Sequence, residues 1–288
     1  MFAAKPHSLL IPGDGSFHAA KAPTSPPKGK DDWKALLEGE IKKLGELQER
    51  LYANGRFAVL IILQALDAAG KDGTIRHVFD GVNPSGLRVA AFKQPTHHEL
   101  AHDFLWRTTL QLPERGGITI FNRSYYEEVL VVRVHPDFLV PQQLPSPPSA
   151  KLWADRLRAI ADHERYLAEQ GTLILKFWLN VSKAEQRKRF LERIDEPKKN
   201  WKFNLGDLDE RDRWDDYMVA YEECFRVTSC PWAPWYVVPS DDKHYQRWQV
   251  AKLINSALED LELDFPRPDK EARAALTKAK ARLLAQND

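Results

Sequence analysis

The sequence has almost no net charge, very few cysteines and no long apolar run. Its 288 residues hold 42 basic and 41 acidic side chains, a formal net charge of +1, which argues against a uniformly basic nucleic-acid-binding protein. The two cysteines, Cys224 and Cys230, are too few for a disulfide framework, and their C-x5-C spacing matches no common zinc pattern. The longest apolar run, residues 57–63 (FAVLIIL), has the length of a strand, whereas a membrane helix needs about 20 residues.

These absences give an expectation about location. The N-terminus lacks the charged-then-apolar pattern of a signal peptide, and the low cysteine content suits a reducing compartment. At 43% hydrophobic and 29% charged residues, the chain can bury a sizeable core and is far from the composition of a disordered protein. We therefore expect a soluble cytoplasmic protein that binds neither a membrane nor a nucleic acid.

Short apolar runs alternate with helix-patterned segments along most of the chain. The predicted strands are residues 57–63, 88–92, 118–121, 173–179 and 235–238. Such alternation is typical of a parallel sheet covered by helices on both faces. The sequence therefore predicts an α/β fold of three layers, α/β/α, around a five-stranded parallel sheet.

The two ends of the chain differ from this central pattern. Residues 1–30 contain five prolines and no apolar periodicity, which predicts an N-terminal arm on the surface or on a partner subunit. From Trp33, apolar residues recur at helical spacing as far as Leu51, between possible caps at residues 31–32 and a stop at Gly55. Residues 266–288 are rich in Ala, Lys and Arg, so we expect a helical tail with a solvated basic face behind a single domain at 31–265.

The residues after the first strand match a phosphate-binding loop. Residues 65–74 (ALDAAGKDGT) lead into a helical pattern, so backbone N–H groups at the helix N-terminus can point at an anion while Lys71 adds a point charge. The segment departs from G-x-x-x-x-G-K-[ST] at Ala65, in place of the first glycine, and at Asp72, in place of the magnesium-binding hydroxyl. An ordinary strand-to-helix turn is the alternative. The predicted phosphate-binding residues are Ala68, Ala69, Gly70, Lys71, Asp72, Gly73 and Thr74.

The third strand runs into residues 121–128 (FNRSYYEE), the place where phosphate-loop proteins carry metal and phosphate ligands. Together with DAAGKDGT, GVNPSG, FKQPT, DFLWR, PERG, the extended FNRSYYEEVLVVRVHP and VPSDDK, this segment closely resembles the family-2 polyphosphate kinases. FNRSYYEE, with asparagine where other classes have aspartate, is similar to class III. The resemblance covers about residues 33–263.

This resemblance implies a phosphate-loop kinase fold with a helical lid. The implied activity moves the terminal phosphoryl group of inorganic polyphosphate to AMP and ADP, giving ADP and ATP. The expected cofactor is Mg²⁺, with Mn²⁺ as an alternative, and a homo-oligomer, dimer or tetramer, is expected.

Phosphoryl transfer passes through a loose transition state, so cations and positioning are expected to supply most of the catalysis. The predicted catalytic residues are Asp67, Lys71, Arg123 and Glu128. Arg123 can clamp a phosphate bidentately, and Asp67 can hold Mg²⁺ or orient the acceptor phosphate. Asn122 is a weaker metal ligand than an aspartate, so Glu128, or Glu127 beside it, is expected to supply negative charge to the metal. An exposed helix glutamate is the alternative at that position.

Four residues are predicted to bind the acceptor nucleotide: Lys93, Arg107, Asn122 and Arg133. Lys93 ends the second strand and Arg133 lies on the helix after the third, so both can reach the acceptor's phosphate. Membership of ordinary surface ion pairs is the alternative for either residue. The predicted metal ligands are Asp67, Asn122 and Glu128.

Residues 183–202 carry eight basic and four acidic side chains, a local balance of +4. Arg189 and Arg193 are four residues apart and share a helix face, and Pro197 then breaks the helix. We predict a mobile lid at about residues 183–208 that closes over the phosphates, with a solvated basic helix as the alternative. Its predicted phosphate-binding residues are Arg189, Arg193, Lys198, Lys199 and Lys202. Residues 207–223 hold eight acids and two arginines, and we expect them to pair with the lid or with another subunit.

Three other functions remain open from the residues alone. His98-Glu99-Leu100-Ala101-His102 matches the H-E-x-x-H helix of zinc metalloproteases, although no H-x-x-G-x-x-H extension follows. An ATP-dependent nucleoside monophosphate kinase is the second, because the loop alone does not name the donor. A non-catalytic polyphosphate or nucleotide sensor is the third.

Overall fold

The computed structural model describes residues 2–29, 31–146, 148–149 and 151–286. Met1 and Lys30 of the predicted arm, and Asn287 and Asp288 of the predicted tail, lie outside the described residues. Pro147 and Ala150 lie outside them as well.

A five-stranded sheet forms the centre of the molecule. Its strands are β1 (Ala58–Gln64), β2 (Leu87–Ala91), β3 (Ile118–Asn122), β4 (Thr172–Asn180) and β5 (Trp235–Pro239). They lie in the order β2-β3-β1-β4-β5, and every neighbouring pair is parallel. The predicted parallel sheet is confirmed, with each strand end within one residue of its expected place.

The α-helices connect and cover these strands. They are α1 (Trp33–Asn54), α2 (Lys71–Val78), α3 (His97–Leu100), α4 (Trp106–Thr109), α5 (Val131–Val134), α6 (Leu152–Glu169), α7 (Lys183–Asp195), α8 (Gly206–Asp212), α9 (Trp214–Thr228), α10 (Lys243–Glu259) and α11 (Lys270–Leu284). None of these helices, within the described ranges, combines the length and the apolar character needed to cross a membrane.

The alternation of side chains along β1 builds a core on each face of the sheet. Val59, Ile61 and Leu63 pack with α1 and α10 on one face, whereas Leu60 and Ile62 pack with α6 and α9 on the other. Successive strand residues point to opposite faces, so a strand that is apolar throughout must be covered twice. The three-layer α/β/α architecture is thereby confirmed.

The long helix α1 begins and ends where its sequence predicts. The Asp32 side chain accepts hydrogen bonds from the backbone N–H groups of Lys34 and Ala35, both at 3.1 Å. Gly55 ends the helix in the left-handed conformation at φ +63°, which favours glycine. Between these caps, the buried leucines of α1 pack against α10.

The N-terminal segment is more tightly integrated than an arm lying on a surface. The Ile11 N–H donates to the Trp235 carbonyl, and the Val237 N–H donates to the Leu9 carbonyl, both at 2.9 Å. Leu9 and Ile11 are buried. The segment therefore adds an antiparallel bridge to the edge strand β5. Helix α11, by contrast, has no buried residue among those described.

Candidate active site

A cleft of about 560 Å³ lies at the carboxyl ends of β1, β2 and β3. Its floor is the loop between β1 and α2, and its other side is formed by residues of the segment 183–208, for which a lid is predicted. The basic side chains that line it are Lys71, Lys93, Arg123, Arg189, Arg193, Lys199, Lys202 and Lys243, and the acidic ones are Asp67, Asp72, Glu192 and Asp207. With twice as many cations as anions, the cleft attracts polyanions.

The loop at the floor has the backbone of a phosphate-binding loop. Gly70 has φ +113°, and a Cβ there would lie 2.9 Å from Oε1 of Gln246, so only glycine fits without displacing that side chain. Ala65, which replaces the first glycine of the pattern, does not have a positive φ, whereas Ala68 in the same loop does, at 59°. Alanine is therefore compatible with the loop at position 65. The Thr74 hydroxyl donates to the Gly70 carbonyl and stays buried, away from the cleft.

Lys71 curls back over the loop that carries it. Its Nζ donates to the Ala65 carbonyl oxygen at 2.7 Å and lies 3.5 Å from that of Leu66. Burial lowers the pKa of Lys71 to about 8, and the nearby Arg123 guanidinium acts in the same direction. The ammonium is thus held partly desolvated at the place where a phosphate would meet it.

Arg123 joins two carboxylates across the cleft. It donates to Oδ1 of Asp67 and to Oε2 of Glu127, each at 3.1 Å, and Glu127 also accepts from Nε2 of Gln64 at 3.1 Å. The charge of Glu127, and then that of Asp67, raises the pKa of Arg123, so its guanidinium stays charged. Its side chain is 39% exposed, which leaves N–H groups open to the cleft.

Asp72, one of the substituted positions of the phosphate-loop pattern, contacts Asn122 of the segment FNRSYYEE. Nδ2 of Asn122, at the end of β3, donates to Oδ1 of Asp72, in the first turn of α2, at 2.7 Å. Both side chains line the cleft next to Asp67 and Lys71. The loop and the third strand therefore meet at the site, as their positions in the sequence predict.

Arg189 supports the loop and does not face outward. It is 4% exposed, and its guanidinium donates to the carbonyls of Ala68 and Ala69 at 3.0 Å and to that of Ser240 at 2.6 Å. Further bonds to Glu185 and to the Asp241 carbonyl occupy the remaining donors. The predicted phosphate-binding role does not fit, because each N–H group of Arg189 already has an acceptor.

The rest of the segment 183–208 presents cations more openly. Arg193, Lys199 and Lys202 line the cleft, whereas Lys198, another predicted phosphate ligand, does not. Arg193 lies 3.5 Å from Asp207, so the basic segment contacts the acidic one that follows it. Burial raises the pKa of Asp207, and the negative charge of Asp67 raises it further.

Glu128 and Arg133, like Thr74 and Lys198, are predicted residues that lie outside the cleft. Glu128 is 5% exposed, and its carboxylate accepts from Arg156 at 3.0 Å and from Gln142 at 2.8 Å. Burial raises the pKa of Glu128, with Arg156 opposing the shift. Arg133 donates to Glu223 on α9. The structure thus brings neither residue to Asp67 and Lys71, because each already has a partner elsewhere.

A smaller cavity of about 220 Å³ adjoins the cleft. The two share Phe92, Lys93 and Arg123, and apolar residues such as Val131 and Phe138 line the smaller one. Arg107 also lines it, donating to the Lys93 carbonyl at 2.9 Å. An apolar pocket with a few cations at its mouth suits a nucleoside with a phosphate attached.

The H-E-x-x-H segment does not build a metal site. Helix α3 has only four residues, and the His102 ring stacks on Trp106 with ring centroids 3.9 Å apart. In the part of the chain that the structure describes, no group of three His, Cys, Asp or Glu side chains is placed to hold a metal ion. The metalloprotease interpretation is therefore unsupported.

Comparison with known proteins identifies the family. The family model described as Polyphosphate kinase 2 matches residues 28–266. The chain belongs to the polyphosphate kinase 2 family. The family resemblance of the sequence motifs is therefore confirmed.

Individual relatives agree with this assignment over most of the chain. The "ADP-polyphosphate phosphotransferase" of Rhodopseudomonas palustris is 51% identical over 89% of this chain and 90% of its own. The "AMP/ADP-polyphosphate phosphotransferase" of Meiothermus ruber is 53% identical over 79% of this chain and 82% of its own. The crystal structure of polyphosphate kinase 2 from Arthrobacter aurescens has a TM-score of 0.85 and 42% identity, covering 97% of this chain and 98% of that one.

Lys243 and Asp207 are among the residues of the cleft that the sequence motifs do not predict. Lys243 lies a few residues after the end of β5. Because the carboxyl ends of parallel strands meet at one edge of the sheet, this position in the chain could have predicted its place in the cleft. Asp207 begins the acidic segment directly after the cluster of basic residues. Glu127 is predicted only as an alternative to Glu128, and no pattern in the sequence separates the two.

Proposed function

We propose that this protein transfers the terminal phosphoryl group of inorganic polyphosphate to AMP and to ADP, giving ADP and ATP. The observation that carries the proposal is the continuous row of cations from the phosphate loop to the segment 183–208. A polyphosphate chain is a linear polyanion, and a cleft lined by seven basic side chains besides the saturated Arg189 can follow it over several phosphates. Two similar proteins are named as polyphosphate phosphotransferases with ADP, or AMP and ADP, in their names.

The reaction needs positioning more than it needs a base. The acceptor oxygen belongs to a phosphate monoester, whose second pKa is about 6, so it is largely ionised at neutral pH. We propose that Lys71 and the N–H groups of the loop hold the donor phosphates. Arg123 would clamp the transferred group, with Asp67 and Glu127 fixing its guanidinium through the two ion pairs at 3.1 Å. Glu127, predicted as the alternative to Glu128 for supplying negative charge to the metal, would instead anchor Arg123.

The acceptor nucleotide is assigned to the smaller cavity. Its apolar wall, which includes Val131 and Phe138, would contact the nucleoside, and Lys93 at its mouth would meet the α-phosphate. Arg107, 10% exposed at the side chain, would line the inner end. Because both cavities share Arg123, donor and acceptor phosphates would meet at that residue.

A divalent cation is expected in such a reaction because it neutralises the transferred charge. We propose Mg²⁺, with Mn²⁺ as a substitute. The donor set suits it, because Asp67, Asp72 and Asn122 offer oxygen atoms on one side of the cleft, and Mg²⁺ prefers one or two carboxylates together with waters and substrate phosphates. Bound there, the cation would offset the negative charge of the phosphates.

The decisive assay combines purified protein, AMP, long-chain polyphosphate and Mg²⁺, with ADP and ATP followed over time. ADP should appear first and ATP after it. A matched reaction contains ATP in place of polyphosphate. Phosphorylation of AMP with ATP but not with polyphosphate would show that the protein is an ATP-dependent nucleoside monophosphate kinase. Binding of both substrates without turnover would show that it is a non-catalytic sensor.

We further propose that residues 31–265, including a lid at 183–208, form the catalytic domain, and that 266–288 are a helical tail. A cytoplasmic location and a homo-oligomer, dimer or tetramer, complete the proposal. Light scattering on the purified protein measures the oligomeric state.

A further inference from the structure

Asp72, a departure from the phosphate-loop pattern, lies in contact with Asn122, the asparagine that replaces an aspartate at the end of β3. In phosphate-loop enzymes a hydroxyl of the loop and an aspartate of a neighbouring strand hold the magnesium ion. Here the loop position is Asp72 and the strand position is Asn122, and their side chains are 2.7 Å apart. Either residue alone weakens the match to a phosphate-loop enzyme. Together, Asp72 and Asn122 still provide one carboxylate and one neutral polar side chain, with the carboxylate on the loop instead of on the strand.

The direction of their hydrogen bond is fixed by chemistry. An ionised carboxylate only accepts, so the amide nitrogen of Asn122 faces Asp72 and the amide oxygen faces away. Within the described part of the chain, neither Oδ2 of Asp72 nor Oδ1 of Asn122 takes part in a hydrogen bond. Both oxygens are therefore available to a further ligand.

The position of Asp72 requires a cation. It lies in the first turn of α2, directly after Lys71, in a cleft whose basic residues attract phosphate. A carboxylate at that place repels a bound polyphosphate unless a positive ion lies between them, because like charges a few ångströms apart are unfavourable even near a protein surface. Asp67 lies on the same wall and supplies a second carboxylate.

We propose that Asp72, oriented by Asn122, is a carboxylate ligand of the divalent cation that accompanies the phosphates. Relative to the phosphate-loop pattern, the carboxylate lies at the start of α2 instead of at the end of β3, and the hydrogen bond runs from the strand residue to the loop residue. Mg²⁺ or Mn²⁺ is the ligand class, since both accept carboxylate and amide oxygens. The inference rests on the proposed function for the phosphates that make a cation necessary beside Asp72, whereas the test measures cation binding without them.

The test measures Mn²⁺ binding to the protein alone, by water-proton relaxation, so no turnover is required. The variants are Asp72→Ser, Asn122→Asp and the double exchange Asp72→Ser with Asn122→Asp. Asp80→Ser is the matched control, since it removes one exposed carboxylate beyond the end of α2. Thermal unfolding of each variant verifies that it folds.

Asp72→Ser should weaken Mn²⁺ binding by about tenfold, and the double exchange should recover most of the loss because a hydroxyl and a carboxylate again face each other. Asp80→Ser should leave binding unchanged. Wild-type affinity in Asp72→Ser, or a double variant as weak as the single one, would overturn the inference. A wild-type protein that binds Mn²⁺ through Asp72 yet transfers nothing from polyphosphate would refute the proposed function and leave this inference standing.

Discussion

Two neighbouring glutamates belong to charge clusters of different kinds. Glu127 joins the cluster Asp67–Arg123–Glu127, which runs from the cleft to the smaller cavity and in which the Arg123 side chain is 39% exposed. Glu128 joins the cluster Glu128–Arg156–Gln142, where the arginine and glutamate side chains are 5% and 7% exposed. The first cluster keeps N–H donors open to a ligand, whereas in the second the buried arginine and carboxylate bond to each other and to Gln142.

The difference separates catalysis from stability. A charge that is partly exposed and incompletely paired can exchange a partner for a phosphate at low cost. Breaking a buried pair leaves an uncompensated charge and destabilises a fold by about 3–5 kcal/mol. We therefore expect substitutions in the cleft cluster to change turnover, and substitutions in the buried cluster to change the free energy of unfolding.

The largest expected effect is at the floor of the cleft. Lys71→Ala and Asp67→Ala should each lower kcat/KM for polyphosphate by about 10²- to 10³-fold, because each removes a group positioned for the transferred charge. Steady-state kinetics measures the turnover of each variant, and thermal unfolding measures its stability. The midpoint of unfolding should change little. Turnover near that of the wild type in either variant would refute the site.

The contrast between the two clusters is tested by exchanging Glu127 and Glu128 separately for glutamine, which keeps size and removes charge. Glu127→Gln should lower kcat by about 10- to 100-fold, since Arg123 loses one of its two anchors. Glu128→Gln should retain most activity but lower the free energy of unfolding by about 3 kcal/mol, because Arg156 stays buried without a counter-charge. A loss of stability in Glu127→Gln together with a loss of turnover in Glu128→Gln would reverse the roles of the two glutamates.

Much of the fold is predictable from sequence because its signals are local. Each strand is a short apolar run, and the caps of α1, Asp32 and Gly55, act within a few residues of the helix ends. The phosphate loop is likewise a continuous segment with strand, glycine, lysine and helix in order. Such features need no information about what they contact.

The choice between neighbouring side chains is not predictable in the same way. Glu127 and Glu128 both lie in the 3-10 turn Tyr125–Glu128, and which one reaches Arg123 depends on the rotation of that turn. Arg156, the partner of Glu128, comes from α6, far along the chain. Arg189 is a residue type that commonly binds phosphate, but here it donates to carbonyls of the loop. That role depends on how α7 packs on the loop, which the sequence does not show.

A pH profile tests the role of Lys71 in the cleft without any substitution. Because burial lowers the pKa of Lys71 to about 8, the ammonium is present below that pH and is lost above it. Wild-type kcat/KM for polyphosphate should therefore fall by about tenfold per pH unit beyond the pKa, as expected when one protonated group is essential in the free enzyme. The substrate phosphates are already ionised in this range.

Two variants serve as controls for this profile. Lys71→Arg should give a flatter curve above pH 8, whatever its absolute rate, because a guanidinium keeps its proton. Glu128→Gln should keep the shape of the wild-type curve. A wild-type rate that is constant to about pH 10 would exclude Lys71 as the titrating group.

The smallest expected effect lies in the segment 183–208, where Arg193 and Arg189 repeat the contrast between an open and a saturated cation. Arg193→Ala should raise KM for polyphosphate by about three- to tenfold, and leave KM for AMP unchanged, because one of several exposed cations is removed from a long polyanion. Arg189→Ala should instead impair turnover with both substrates and lower the midpoint of unfolding, because it frees the carbonyls of Ala68 and Ala69. Separate titrations of the two substrates measure the first effect and thermal unfolding measures the second. A selective loss of polyphosphate affinity in Arg189→Ala, with normal unfolding, would show that this arginine contacts the donor directly.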